Sequence, residues 1–284
     1  GHMDKIGIWN SPNGKRVEYL DGHTGDLNCL QALPDGRIVS GAGDRTIRIW
    51  SKGAHGEWDA EVLRGHQASV TCLHVLSDGR IVSGSLDNSI RIWTKGTDDQ
   101  WSDKVISKHG VPVYCLQAIP DGGIVSGQSN KIIRIWTEGT DCSWRSEDLT
   151  GGMTLVTCLQ VLCDGRIVFG CNDNKIRIWT KGIDEWRRSG ELAGHEDAVS
   201  ALHVLPDGRI VSGSNDHSIR IWTKREVPAT RSIWRGWVAN PPVHQWTAEV
   251  LKGHNSHVHA LQVLSDGRIV SGSSDGSIRI WDGD

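Results

Sequence analysis

From Val70 the chain reads VTCLHVL, an apolar run of strand length that stops at Ser77-Asp78-Gly79. RIVSGS follows, and its Asp-Gly lead-in marks a hairpin between two strands. Leu86-Asp87-Asn88 then turns the chain into a third strand, SIRIWT, and a polar loop follows. One repeat earlier, the same kind of loop leads into WDAEVL, a fourth strand over 58–63. Four such strands predict a small antiparallel sheet that is apolar on both faces. Each sheet must therefore be covered on both sides, and stacking like sheets about an axis achieves that.

The pattern recurs in register. Trp50, Trp93, Trp136, Trp179 and Trp222 stand 43 residues apart, and Trp281 follows after 59. One copy thus carries 16 extra residues. They fall within 224–245, predicted as a long inter-strand loop inserted in the fifth unit. Copies two and five read GHQASVTCLHVLSDGRIVSGSLDNSIRIW and GHEDAVSALHVLPDGRIVSGSNDHSIRIW. A period of this length signals a repeat architecture.

The GH pair, the DGRIVSGSxD stretch and IRIW together resemble the WD-repeat family, from about residue 6 to 284. The resemblance implies an all-β fold: a single closed β-propeller over 4–284, built of four-stranded antiparallel blades. Six sets of the first three strands count as six blades, with seven the alternative. The Trp-Asp pair of the family survives only at Trp281-Asp282; the strand pattern does not depend on it. The last set has no fourth strand, and Val17–Leu20 is placed to supply it by pairing the two chain ends. Ile6–Trp9, reading IGIW, resembles a further third strand without partners: a latch, a swapped contact or an edge of the expressed piece. Gly1-His2-Met3 reads as a vector remnant joined to a start methionine.

Composition sharpens this picture. Lys and Arg total 31 against 34 Asp and Glu, a formal net charge of −3. That balance argues against nucleic acid as a partner. No stretch approaches the roughly 18 apolar residues of a membrane span. Fourteen Trp against one Phe and two Tyr follow from a Trp written into the repeat. Cys29, Cys72, Cys115 and Cys158 share one register in the first strands, which suits small core residues in a reducing compartment, cytoplasmic or nuclear. No cofactor is implied. His254, His257 and His259 crowd together, but the first has a place in the repeat and no carboxylate neighbours the others, so no metal is assigned.

Ser, His and Asp recur in a set that mimics a hydrolase triad. Repetition in nearly every unit argues instead for architecture, because catalysis needs one site. By resemblance these residues form buried structural tetrads: His23, Ser40, Asp44 and Trp50; His66, Ser83, Asp87 and Trp93; His109, Ser126, Asn130 and Trp136; His195, Ser212, Asp216 and Trp222; His254, Ser271, Asp275 and Trp281. Unit four departs, with Gly152 in place of His and Phe169 in place of Ser. Asp173 and Trp179 are expected to lose their partners there.

The family binds proteins through the loops before the first strand and between the second and third. Carried onto this sequence, that face offers Leu86, Pro112, Met153 and Leu155 as an apolar patch. The long loop offers Arg231, Trp234, Arg235 and Trp237, residue types enriched at binding hot spots. The reading is a non-catalytic interaction scaffold or substrate-recognition module that binds other proteins. The alternative is a reader of a short linear peptide or modified tail in the central opening. An enzyme is disfavoured, since every candidate catalytic set is a repeated one.

Overall fold

The computed structural model describes residues 4–10, 15–108, 110–129, 132–149, 154–182, 185–227 and 243–283. Every regular element among them is a β-strand. The chain divides into two compact units, 1–156 and 157–284.

The first unit opens with a ribbon of β1 (Ile6–Asn10) and β2 (Lys15–Leu20). Blade one follows as β3 (Leu27–Ala32), β4 (Ile38–Ala42), β5 (Thr46–Lys52) and β6 (Trp58–Arg64). Blade two is β7 (Val70–Val75), β8 (Ile81–Ser85), β9 (Ser89–Lys95) and β10 (Trp101–Lys108). Blade three is β11 (Val113–Ala118), β12 (Ile124–Gln128), β13 (Ile133–Glu138) and β14 (Trp144–Leu149). The second unit begins within the first strand of blade four, which is β15 (Val156–Val161), β16 (Ile167–Cys171), β17 (Lys175–Lys181) and β18 (Trp186–Ala193). Blade five is β19 (Val199–Val204), β20 (Ile210–Ser214), β21 (Ser218–Val227) and β22 (Val243–Lys252). Blade six ends the chain with β23 (Val258–Val263), β24 (Ile269–Ser273) and β25 (Ile278–Trp281). Five sheets are four-stranded and antiparallel, and the sixth has three strands. The architecture is the expected six-bladed β-propeller class.

Consecutive blades pack by one rule. Val39, Ile47, Ile49 and Leu63 of blade one meet Val70, Leu73, Ile81 and Trp93 of blade two. Blade two turns Val82, Ile90 and Ile92 toward Val113, Leu116, Ile124 and Trp136. In the second unit Val168, Ile176, Ile178 and Leu192 meet Val199, Leu202, Ile210 and Trp222. At these junctions the forward face offers Val and two Ile, joined by Leu in blades one and four, and the backward face offers Val, Leu, Ile and Trp. Strand alternation sends successive side chains to opposite faces, which is why the sheets read as apolar throughout.

Two expectations change. Val17–Leu20 lies in β2, but β2 pairs with β1, through Ile6↔Leu20, Gly7↔Tyr19 and Ile8↔Glu18. β1 carries a third-strand pattern and is the nearest candidate in sequence, so a local hairpin forms at small loop-closure cost. The long connection of blade five is also shorter than its predicted 224–245. β21 and β22 stay paired out to Val227↔Val243, because the residues flanking the insertion continue the ladder. Arg231, Trp234, Arg235 and Trp237 lie outside the described residues.

Candidate functional site

The loop faces of blades one, two, five and six are pinned from below. His66 Nδ1 is 2.8 Å from Asp87 Oδ2 and its Nε2 is 2.7 Å from Ser83 Oγ, while Trp93 Nε1 donates to the same Oγ at 2.8 Å. The sets at His23, His195 and His254 repeat these distances within 0.1 Å. A carboxylate only accepts, so Nδ1 carries the proton and the bare Nε2 accepts from the Ser hydroxyl. In blade three Trp136 Nε1 donates to Ser126 at 3.0 Å; His109 and Asn130 lie outside the described residues.

The aspartate does more than hold the imidazole. Asp87 also accepts from Gln67 N at 2.8 Å, Ser89 N at 2.9 Å and Ser89 Oγ at 2.6 Å. Thr46, Ser218 and Ser277 fill the Ser89 role in their own blades. This fifth member went unread in the sequence, although Asp-x-Ser/Thr repeats there. Burial alone would raise the Asp44 and Asp87 carboxyls, but donation from Thr46 and Thr24, and from Ser89 and Gln67, outweighs it and holds both at about 2. Burial lowers His23, His66 and His195 below the ordinary imidazole value, with the neighbouring aspartate only partly opposing it.

The hydrogen-bond order matches a hydrolase triad, yet the arrangement cannot attack a substrate. Ser40, Ser83 and Ser212 are wholly buried, and Trp N–H occupies the oxygen that would act as nucleophile. What the network does is fix the loop ahead of a blade to the turn between its second and third strands.

On that face Leu86 sits in the turn between β8 and β9 and is 41% exposed. Its backbone N donates to Ser69 O at 3.0 Å, tying the two loops together. Pro112 O accepts from Ser129 N at 3.1 Å in the same way, and Pro112 and Leu155 are half-buried. Met153 lies outside the described residues. The sequence reading missed Tyr114, which is 40% exposed in β11. Asn28, Thr71, Thr157 and Ser200 hold the same register and donate to the backbone of the following blade. An aromatic in a column of short polar residues was the available signal.

A model of the WD domain, G-beta repeat, matches residues 6–51, 60–94, 102–137, 147–180, 186–223 and 246–282. The chain belongs to the WD-repeat family. Among its relatives are human Pleiotropic regulator 1, 38% identical over 50 residues, covering 18% of this chain and 10% of that protein. Protein FIZZY-RELATED 2 of Arabidopsis thaliana is 40% identical over 50 residues, 17% of this chain and 10% of its own. Eukaryotic translation initiation factor 3 subunit I of Drosophila virilis is 43% identical over 47 residues, 16% and 15% respectively. The chain thus matches about a tenth of the length of the first of these relatives.

Within this WD-repeat protein blade four is the exception. Phe169 is wholly buried, its ring 6.5 Å from that of Trp179. Among the described residues Trp179 Nε1 has no hydrogen-bond partner, as expected. Asp173, expected to be stranded, is not: the buried Arg177 donates to it from both terminal guanidinium nitrogens, at 3.0 and 2.5 Å. The other arginines of this register also act locally. Arg48 and Arg134 lie over Trp50 and Trp136 at 5.7 and 5.6 Å, and Arg91 pairs with Asp103. No disulfide joins any of the seven cysteines, all of them among the described residues. Among the described residues no helix is long and apolar enough to cross a membrane.

Proposed function

We propose that this WD-repeat protein is a non-catalytic scaffold that binds a protein partner on the loop face of blades two and three, through Leu86, Pro112 and Tyr114 with Leu155 beside them. The observation that carries the reading is the pair of exposed apolar side chains, Leu86 on a turn held by blade two's buried network and Tyr114 on strand β11. Exposed apolar groups on a rigid frame lose little freedom when covered, so their burial converts efficiently into affinity. The connection bearing Arg231, Trp234, Arg235 and Trp237 is a second candidate surface, supported by its composition. Seven cysteines outside any disulfide suit a reducing compartment, cytoplasmic or nuclear.

The test is affinity capture followed by titration of the recovered partner against Leu86→Asp and Tyr114→Asp. Each variant should weaken binding by about 2 kcal/mol or more, near thirtyfold, with the circular dichroism spectrum unchanged. Thr24→Ala and Asn255→Ala, which remove only short polar groups, should bind normally. Undiminished binding by both aspartate variants would sink this face as the interface.

A further inference from the structure

Successive blades interlock at their inner strands through a glycine. A Cβ placed on Gly41, Gly84, Gly170 or Gly213 would stand 2.6 to 2.7 Å from a methyl of Val70, Val113, Val199 or Val258 in the next blade. Gly190, on the fourth strand of blade four, is a glycine of another kind. The three nearest neighbours of a Cβ there would be atoms of Ile178 in its own blade, at 3.5 to 3.8 Å. That is ordinary contact with room for a side chain. The inner glycines receive a neighbour's methyl; this one leaves a place unfilled.

Elsewhere a glutamate stands in that place. Gly190 pairs with Ile178 as Glu61 pairs with Ile49 and Glu18 with Ile8. Glu61 accepts from Lys95 Nζ at 3.1 Å and from Trp101 Nε1 at 2.5 Å, two cross-strand partners in blade two. Glu18 accepts in the same way from Lys52 Nζ and Trp58 Nε1 of blade one. Between blades two and three the charges are exchanged. Lys104 holds the glutamate position and Glu138 the lysine position, where Arg80 donates to it at 2.9 and 3.2 Å. Each of these junctions carries its own carboxylate and its own cation.

Between blades four and five the cation is present and the carboxylate is not. Lys224 and Trp246 pair across β21 and β22 as Lys95 and Trp101 pair across β9 and β10. Among the described residues neither Lys224 Nζ nor Trp246 Nε1 has a polar partner. Arg166 holds the register of Arg80, but among the described residues it bonds only to Asp164 of its own turn. Arg166, Lys224 and Trp246, with Ile178, Thr180 and Gly190, line a cleft of about 440 Å³. The acidic residues of its wall are already engaged. Asp164 holds Arg166 at 2.7 Å, and Glu191 is held by Lys175 at 2.7 Å and Arg188 at 3.2 Å. Lys224 is exposed and Trp246 half-buried, so the cleft is open to a partner.

We propose that this cleft binds a glutamate side chain presented by a partner polypeptide, whose carboxylate takes the place that Glu61 fills between blades one and two. Lys224 Nζ and Trp246 Nε1 donate to it, and Arg166 adds a second positive charge. Its methylene stem lies against Ile178 and the Trp246 ring, which already share one apolar cluster. A simple anion would leave that apolar surface bare. Donors carried on paired strands lose little freedom on binding, so a charge-assisted bond forms at low ordering cost.

The test uses the full chain and the peptide acetyl-Gly-Glu-Gly-amide, followed by NMR at the indole N–H resonances, with Trp246→Phe assigning the signal. The peptide should shift the Trp246 resonance saturably; acetyl-Gly-Gln-Gly-amide and acetate at the same concentration should not. Lys224→Ala should weaken the peptide at least tenfold, the loss expected of one charge-assisted hydrogen bond. Gly190→Glu returns a carboxylate from within the chain and should abolish the peptide's shift. It should also melt higher than Gly190→Gln, and that difference should vanish when Lys224→Ala is added. Leu86→Asp should bind the peptide normally, which keeps this site separate from the loop face of blades two and three. The proposal fails if the glutamate peptide leaves the Trp246 resonance unmoved, or if the glutamine peptide or acetate moves it equally. It fails too if Gly190→Glu still binds the peptide unimpaired or melts no higher than Gly190→Gln.

Discussion

In blade two, Ser83 lies across from Arg91 in the β8–β9 ladder and holds both His66 and Trp93. In blade four Phe169 holds the same register across from Arg177, and a benzyl ring lies where a hydroxyl joins two other side chains. The strand order is identical and the registers between second and third strands coincide. One blade joins these positions through a satisfied polar network; the other has a buried ring there and a half-buried ion pair between Arg177 and Asp173. The difference separates two jobs that coincide elsewhere. The sheets are held by the Ile, Val, Leu and Trp of their faces, while the tetrad fixes how the loops sit above them. A half-satisfied network costs more than an apolar filling, so losing His and Ser together is less harmful than losing one.

The largest effect should come from emptying blade four. Phe169→Ala leaves a fully buried cavity and should lower stability by about 3–5 kcal/mol, read from urea unfolding. His66→Ala in blade two leaves Asp87 and Ser83 without their shared partner and should cost about 1–3 kcal/mol. If His66→Ala proves the costlier change, the apolar substitute is less necessary than its burial implies. A finer comparison uses Trp93→Phe against Trp179→Phe. Both shrink a buried ring, but only Trp93 Nε1 has a hydrogen bond to lose, so the first should cost about 1 kcal/mol more.

Acid should separate the networks most gently. His23, His66 and His195 bind a proton more weakly folded than unfolded, and so do Asp44 and Asp87. Stability therefore falls as pH falls. The imidazole contribution is complete above about 6.5 and declines below it; the carboxylate contribution declines from about 3.8 down through about 2. Thermal midpoints measured from pH 8 to pH 3 should show the first decline, and His66→Ala should reduce it. An unchanged slope in that variant would mean that other histidines, among them the buried His74 and His203, govern it.

The strand pattern, the six repeats and the tetrads were legible in the sequence because each depends on which residues recur and at what spacing. The Asp173–Arg177 pair was not, because periodicity gives a side chain's register and not its rotamer. Arg48 and Arg177 occupy the same register, yet one lies over a tryptophan and the other turns to a carboxylate. Tyr114 escaped because the face was read from loop positions alone, while it projects from a strand. The pairing of β2 was misjudged because two segments, IGIW and IRIW, suit it almost equally. A pattern read from sequence ranks partners by similarity and leaves out the entropic advantage of the nearer one.

The glycine at each junction has a consequence for how such a chain can change its length. Because the same missing Cβ receives the same valine at Gly41, Gly84, Gly170 and Gly213, a whole 43-residue block duplicated or excised in the gene would leave the remaining junctions unaltered. A shorter insertion into a strand would throw knob and hole out of register at two junctions at once. Growth by complete copies is thus the inexpensive route. The 16 added residues of blade five obey the same logic, since they lengthen an outer hairpin and leave its glycine and valine where they were.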